Sequence, residues 1–140
     1  MRLLLDTHIV LNVVAQQTDS LPLGIRRLLA DRASGFHVSV VSLWEIAIKW
    51  RLGKLPLTVP IDQLPDLIAG LRIELVPINE RNVLAAVEPE PPTRDPFDRL
   101  LLAQCQIEDL RLVTIDRALV SHPLAAKPGK AGRSSEPVEK

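Results

Sequence analysis

The feature that most constrains this chain is an alternation. Short apolar or β-branched runs recur as "LLL" (Leu3–Leu5), "FHVSVVS" (Phe36–Ser42), "IELVPI" (Ile73–Ile78) and "LRLVTID" (Leu110–Asp116), and the stretches between them have helical periodicity. A continuous apolar run of strand length fits a strand covered on both faces. Strands separated by helices are joined by crossovers, and crossovers make them parallel. The expected fold is therefore an α/β domain with a mostly parallel central sheet flanked by helices.

Helices are expected over Thr7–Ala15, Leu21–Ala33, Leu43 to Gly53, Ile61–Gly70, from an Asn79 cap through Val87, over "DPFDRLLLAQCQIEDL" from Asp95, and in a short last piece from about Asp116. Ser42 and Glu45 have the spacing of a capping box. Asp95 before Pro96 has the form of an N-cap with proline at the first helical position. "EPEPPT" (Glu88–Thr93) is expected to be a stiff loop. From His122 onward the composition turns rich in Pro, Gly, Ser and charge. The expected organisation is one domain over residues 1–122 and a flexible tail over 123–140.

Composition narrows the function. The 140 residues carry 17 basic and 17 acidic side chains, so net charge gives no general pull toward nucleic acid or membrane. One cysteine, Cys105, allows no intrachain disulfide and suits a reducing compartment. No run approaches the ~18–20 apolar residues of a membrane span, and the first apolar run ends at Asp6, too early for a signal peptide. A soluble, cytoplasmic protein with no membrane partner is expected. No paired-histidine zinc spacing, Gly-rich phosphate loop or nucleophile elbow is present.

The acids at element boundaries carry the chemistry. Asp6 interrupts a leucine run, and a carboxylate there is costly unless something pairs with it. Asp6 and Asp116 each follow a strand, Glu45 lies just after another, and Asp95 and Asp98 open a helix after the proline loop. Each has a local explanation: an N-cap for Asp6, Asp95 and Asp116, the capping box and a Lys49 helix pair for Glu45, the helix dipole for Asp98. Together they differ, because parallel strands share one carboxyl edge and ligands bind there. Asp98 also shares a helix face with Leu101, Leu102 and Cys105, and Glu45 shares one with Ile48 and Leu52. Clustered carboxylates repel unless a cation joins them, and a hard divalent ion such as Mg²⁺ or Mn²⁺ suits oxygen donors. Such a site suits phosphodiester hydrolysis without a protein nucleophile.

With these residues assembled, the chain resembles the PIN-domain ribonucleases, specifically the VapC-type toxins of bacterial toxin–antitoxin pairs. The resemblance is carried in order by "LLLDTH", "SLWEIAIKWRLGKL", "RDPFDRLLLAQ" and "LVTID", over Leu3 to about Ser121. It implies a three-layer PIN-like domain in which Asp6, Glu45, Asp98 and Asp116 match the four metal-binding acids. Asp95 matches a frequent additional acid, and Thr7 the hydroxyl that supports the first acid or a metal-bound water. It also implies Mg²⁺- or Mn²⁺-dependent RNA cleavage, a cognate antitoxin protein and a homodimer.

Other residues have bland explanations beside functional ones. Arg94, Arg99 and Arg117 suit phosphate contact or local ion pairs such as Asp95–Arg99, and Arg51 and Lys54 suit an RNA track or a solvated face. Trp44 and Trp50 are expected in core or dimer packing, Cys105 in the core, and His8 in a structural or solvent role. Two alternatives to the nuclease are a non-catalytic module that binds RNA or an antitoxin, and a haloacid-dehalogenase-type phosphatase. The phosphatase chemistry wants an aspartate two residues after Asp6, where His8 stands.

Overall fold

The computed structural model describes residues 1–128. The chain runs β1 (Arg2–Leu5), α1 (Thr7–Val14), α2 (Leu23–Ala30), β2 (Gly35–Ser39), α3 (Val40–Arg51), α4 (Leu64–Gly70), β3 (Glu74–Val76), α5 (Glu80–Leu84), α6 (Pro96–Glu108) and β4 (Arg111–Val113). Short 3-10 turns at Thr18–Ser20 and Ile61–Gln63 precede α2 and α4. All strand pairs are parallel, in the order β3-β2-β1-β4.

The leucine run explains why β1 is central. Leu3 and Leu5 point into one apolar cluster with Ile9, Ile46 and Ile68, while Leu4 points into the other with Leu101, Leu102 and Leu112. Side chains alternate across a strand, so three successive leucines serve two cores. The sheet is thus covered on both faces, as expected for an α/β domain of this kind.

The strand order fixes where a site can form. The chain steps from β1 to β2 to β3 in one direction and then returns to place β4 on the other side of β1. The order reverses between β1 and β4, and the crevice beyond the carboxyl ends of strands at such a reversal is where open α/β sheets bind ligands. Asp6 immediately follows β1, and Asp116 lies three residues beyond the end of β4.

Several boundaries differ from expectation for identifiable reasons. The second strand stops at Ser39 rather than Ser42, because the Ser39 hydroxyl accepts from Val41 N and caps α3. Val40 and Val41 therefore join a helix despite their β-branching, with Val41 fully buried in the second core. The expected Ser42–Glu45 capping box does not exist; both residues lie inside α3 and are buried. Pro22 stands at the N-cap of α2, so the second helix opens later than Leu21. β3 ends before Pro77, which has no N–H for a ladder. After β4 the expected last helix is only a turn, closed by Leu119 N and Val120 N donating to the Asp116 carbonyl.

The composition change at His122 does not end the packing. Leu124 and Ala126 exchange backbone hydrogen bonds with Leu112, Ala125 is 3% exposed, and Pro128 lies against Gly24 of α2. The His122 ring is also buried: Leu124 N donates to its Nδ1 and its Nε2 lies 2.8 Å from the Pro89 carbonyl. Because Nδ1 accepts, Nε2 carries the proton and donates to Pro89. The remainder of the expected tail, 129–140, lies outside the described residues.

Candidate active site

The five acids line one cavity of about 460 Å³ at the carboxyl edge of the sheet. Asp6, Glu45, Asp95, Asp98 and Asp116 reach it from β1, α3, α6 and the segment after β4, with Thr7, His8, Leu11, Lys49, Leu55 and Ile115 completing the wall. A second groove of about 510 Å³ between α1 and residues 55–59 shares His8, Leu11 and Leu55 with it.

Asp6 and Glu45 are held by hydroxyls. Asp6 is 7% exposed; Oδ1 accepts from Thr7 N at 2.8 Å and Oδ2 from Thr114 Oγ1 at 2.6 Å. Burial raises its pKa, these two hydrogen bonds oppose the rise, and the charges of Glu45 and Asp116 add to it. Asp116 N donates to Thr114 Oγ1, so one hydroxyl links the acids after β1 and β4. Glu45 is 6% exposed; Oε1 accepts from Thr7 Oγ1 at 2.7 Å and Oε2 from Lys49 Nζ at 2.6 Å. Thr7 Oγ1 also lies 2.9 Å from Ser42 Oγ. Its single proton goes to the carboxylate, so it accepts from Ser42. The Thr7 hydroxyl thus donates to Glu45, and Asp6 takes the Thr7 backbone N–H.

Asp95 and Asp98 divide labour at the start of α6. Asp95 is the N-cap, and its Oδ1 accepts from Phe97 N at 2.8 Å and Asp98 N at 3.3 Å. Among the described residues Asp98 alone of the five acids accepts no hydrogen bond at its carboxylate. Burial, then the charges of Asp95, Asp6, Asp116 and Glu45, push its pKa up to about 7. Asp98 does share its helix face with the buried Leu101, Leu102 and Cys105. Glu45 does not share a buried stripe with Leu52, which is exposed at the helix end.

The arrangement fits a cation by donor chemistry and by electrostatics. All five acids are hard oxygen donors, and the repulsion that adds to burial in raising the Asp98 pKa is what a bound divalent ion relieves. As the side chains stand, however, no three His, Cys, Asp or Glu groups among the described residues are close enough to ligate one ion. Thr7, Thr114 and Lys49 occupy the inward oxygens of Asp6 and Glu45 instead.

The flanking residues sort clearly. Arg99 is committed to the proline loop, with Nε donating to the Thr93 carbonyl at 2.7 Å and an ion pair to Glu90, so neither the Asp95 pair nor a free phosphate fork applies. Arg94, Arg117, Arg51 and Lys54 are exposed. Trp44 and Trp50 are 58% and 45% exposed and do not belong to the core; Trp44 meets Phe97 edge-on, with centroids 5.5 Å apart. Cys105 is fully buried, where burial pushes its thiol up to about 12. Sequence reasoning missed Thr114 and Ser42, whose roles depend on contacts across 108 and 35 residues.

No helix among the described residues is long and apolar enough to cross a membrane. No curated protein matches the chain. The fold is similar to that of a VapBC2 chain from Rickettsia felis, crystallised bound to a DNA fragment from their promoter. The TM-score is 0.57 at 16% identity, over 89% of this chain and 96% of that one. The PIN domain model matches residues 3–123. With that match over nearly all of the described residues, the chain belongs to the PIN-domain family.

Proposed function

We propose that this protein is a divalent-metal-dependent endoribonuclease that hydrolyses RNA phosphodiester bonds as the toxin of a toxin–antitoxin pair. The observation that carries the chemistry is the convergence of five carboxylates at the strand-order reversal, with Asp98 unpartnered among them and pushed up to about 7. A cluster built only to cap helices would satisfy each acid locally, and Asp98 is not so satisfied. RNA as substrate and the toxin role rest on membership of the PIN family and on the four-motif resemblance to VapC-type toxins. The likeness to a VapBC2 chain is one of fold.

In this reading Asp6, Glu45, Asp98 and Asp116, with Asp95 beside them, hold Mg²⁺ or Mn²⁺. The ion supplies a water activated for attack and charge neutralisation at the phosphoryl group. The Thr7 and Thr114 hydroxyls hold Glu45 and Asp6 at the cavity wall, and the acids would close on a cation from their present spacing. Exposed Arg94 and Arg117, each next in sequence to one of the cavity acids, would meet backbone phosphates, which position a nucleic acid without reading its sequence. A cognate antitoxin and a second copy of the chain are the proposed partners, and the cytoplasm the proposed location.

Purified, antitoxin-free protein is tested on total cellular RNA with Mg²⁺ or Mn²⁺ and with chelator, beside Asp98→Asn. Metal-dependent cleavage lost in the variant is expected. Folded protein that binds RNA or antitoxin without cutting would overturn the nuclease and favour a binding module, which the non-ligating spacing of the acids also suits.

A further inference from the structure

Lys49 stands where the proposed cation is wanted. Its Nζ donates to Glu45 Oε2 at 2.6 Å, and among the described residues it is the only Lys or Arg lining the acid cavity. The other Glu45 oxygen accepts from Thr7, so both oxygens are engaged. The placement needs no long-range contact, because residues four apart on a helix are neighbours. The two partners differ in freedom. Glu45 is 8% exposed at its side chain and Lys49 44%. A lysine is a compact charge on a flexible stem, and here the stem has solvent to swing into while the carboxylate does not.

We propose that Lys49 is a tethered counter-ion, which occupies the carboxylate cavity of the metal-free protein and gives up Glu45 Oε2 when a divalent cation enters. The chain thereby sets its own metal affinity. The inference rests on the acid cavity being the cation site of the proposed function, but not on RNA being the substrate. An ammonium and a divalent ion that compete for one oxygen also repel each other at short range in a partly desolvated cavity. A lysine that served only as a helix pair would leave metal binding nearly unchanged, and so would one that gripped a substrate phosphate.

The test is Mn²⁺ binding to the full chain, stripped with chelator and followed by the spin resonance of free Mn²⁺. Wild type is compared with Lys49→Met, Lys49→Gln and Lys49→Arg, and the metal-free melting temperature of each is recorded. Because Lys49 is partly exposed, the two neutral variants are expected to fold. Both should bind Mn²⁺ roughly tenfold more tightly and melt lower than wild type when metal-free. Lys49→Arg, which keeps the charge, should stay within about threefold of wild type. Unchanged or weaker Mn²⁺ binding in the neutral variants overturns the proposal, as does failure of every form to bind Mn²⁺. RNA cleavage run in parallel separates the two readings. Tightened Mn²⁺ binding with no cleavage by wild type sinks the nuclease and leaves the counter-ion standing. Lost cleavage with unaltered Mn²⁺ affinity makes Lys49 a substrate contact and overturns the counter-ion.

Discussion

Replacing Asp98 by Asn keeps the side chain's shape and removes its charge, so the variant reports what ionising Asp98 costs the fold. The carboxyl moves from 3.8 to about 7 in the folded protein. At about 1.4 kcal/mol per pH unit, a difference of roughly 3 units corresponds to about 4 kcal/mol. Asp98 is only half-buried, and solvent screening reduces this to about 1–2 kcal/mol. The sign follows from proton linkage. Below about pH 4 the group is protonated in both states and costs nothing. Between about 4 and 7 the folded state holds the proton more tightly, so this contribution to stability falls as pH rises. Above about 7 both states are ionised and the full cost is present. Urea unfolding in chelator should therefore give Asp98→Asn and wild type nearly equal stability near pH 4. The variant should be more stable by about 1–2 kcal/mol at pH 8. Saturating Mn²⁺ at pH 8 should erase or reverse the difference, since only the carboxylate gains from the cation. A stability difference that stays constant from pH 4 to 8, or a variant less stable than wild type at pH 8 without metal, would refute the reasoning.

Three further substitutions test the scaffold. Thr114→Val deletes the hydroxyl that donates to Asp6 and accepts from Asp116 N; it should cost about 1–3 kcal/mol in urea unfolding and weaken Mn²⁺ binding measured on the same samples. His122→Ala leaves the Pro89 carbonyl and Leu124 N without their partner; about 2 kcal/mol should be lost, and limited proteolysis should cut faster within Glu88–Thr93. Asp109, the C-cap of α6, sits at φ 57°; Asp109→Gly relieves that left-handed backbone and should raise stability by about 0.5–1 kcal/mol in thermal melts.

What the sequence made legible was local. Leu3–Leu5 announces a strand buried on both faces, and the alternation of such runs with helical stretches announces a parallel sheet. Asp95-Pro96 marks the start of α6 to the residue. The acids could be gathered from sequence because each sits at an element end and parallel topology sends strand ends to one edge. Contacts between distant segments were not legible. Thr7 and Ser42 meet across α1 and α3, and Thr114 reaches back to Asp6; no spacing rule reports such pairs. Ser39 and Ser42 compete for the cap of α3, and the β-branched Val40 and Val41 between them favour the later choice until Val41 is seen buried under α6. Periodicity likewise finds an apolar face without saying whether the core or a second chain covers it, which is why Trp44 and Trp50, expected in core or dimer packing, stand outside the core.

The local and the clustered explanations of the acids are compatible, and Asp95 shows why. It caps α6 through Phe97 N and Asp98 N, as its sequence context implies. That same cap fixes the first turn of α6, and the first turn sets where Asp98 points. The proline loop before it is pinned from two sides, by Arg99 at Thr93 and Glu90 and by His122 at Pro89. Ordinary structural bonds therefore hold an unpartnered carboxylate against four others. The fold tolerates the burial and repulsion at Asp98 because the group is only half-buried and its proton binds near neutrality. A carboxyl with a pKa of about 7 responds to a cation more than one at 3.8 does, since the cation both displaces its proton and relieves its neighbours. The strain at Asp98 and the affinity proposed for the cavity are two sides of one electrostatic arrangement. A variant that removes the first should weaken the second.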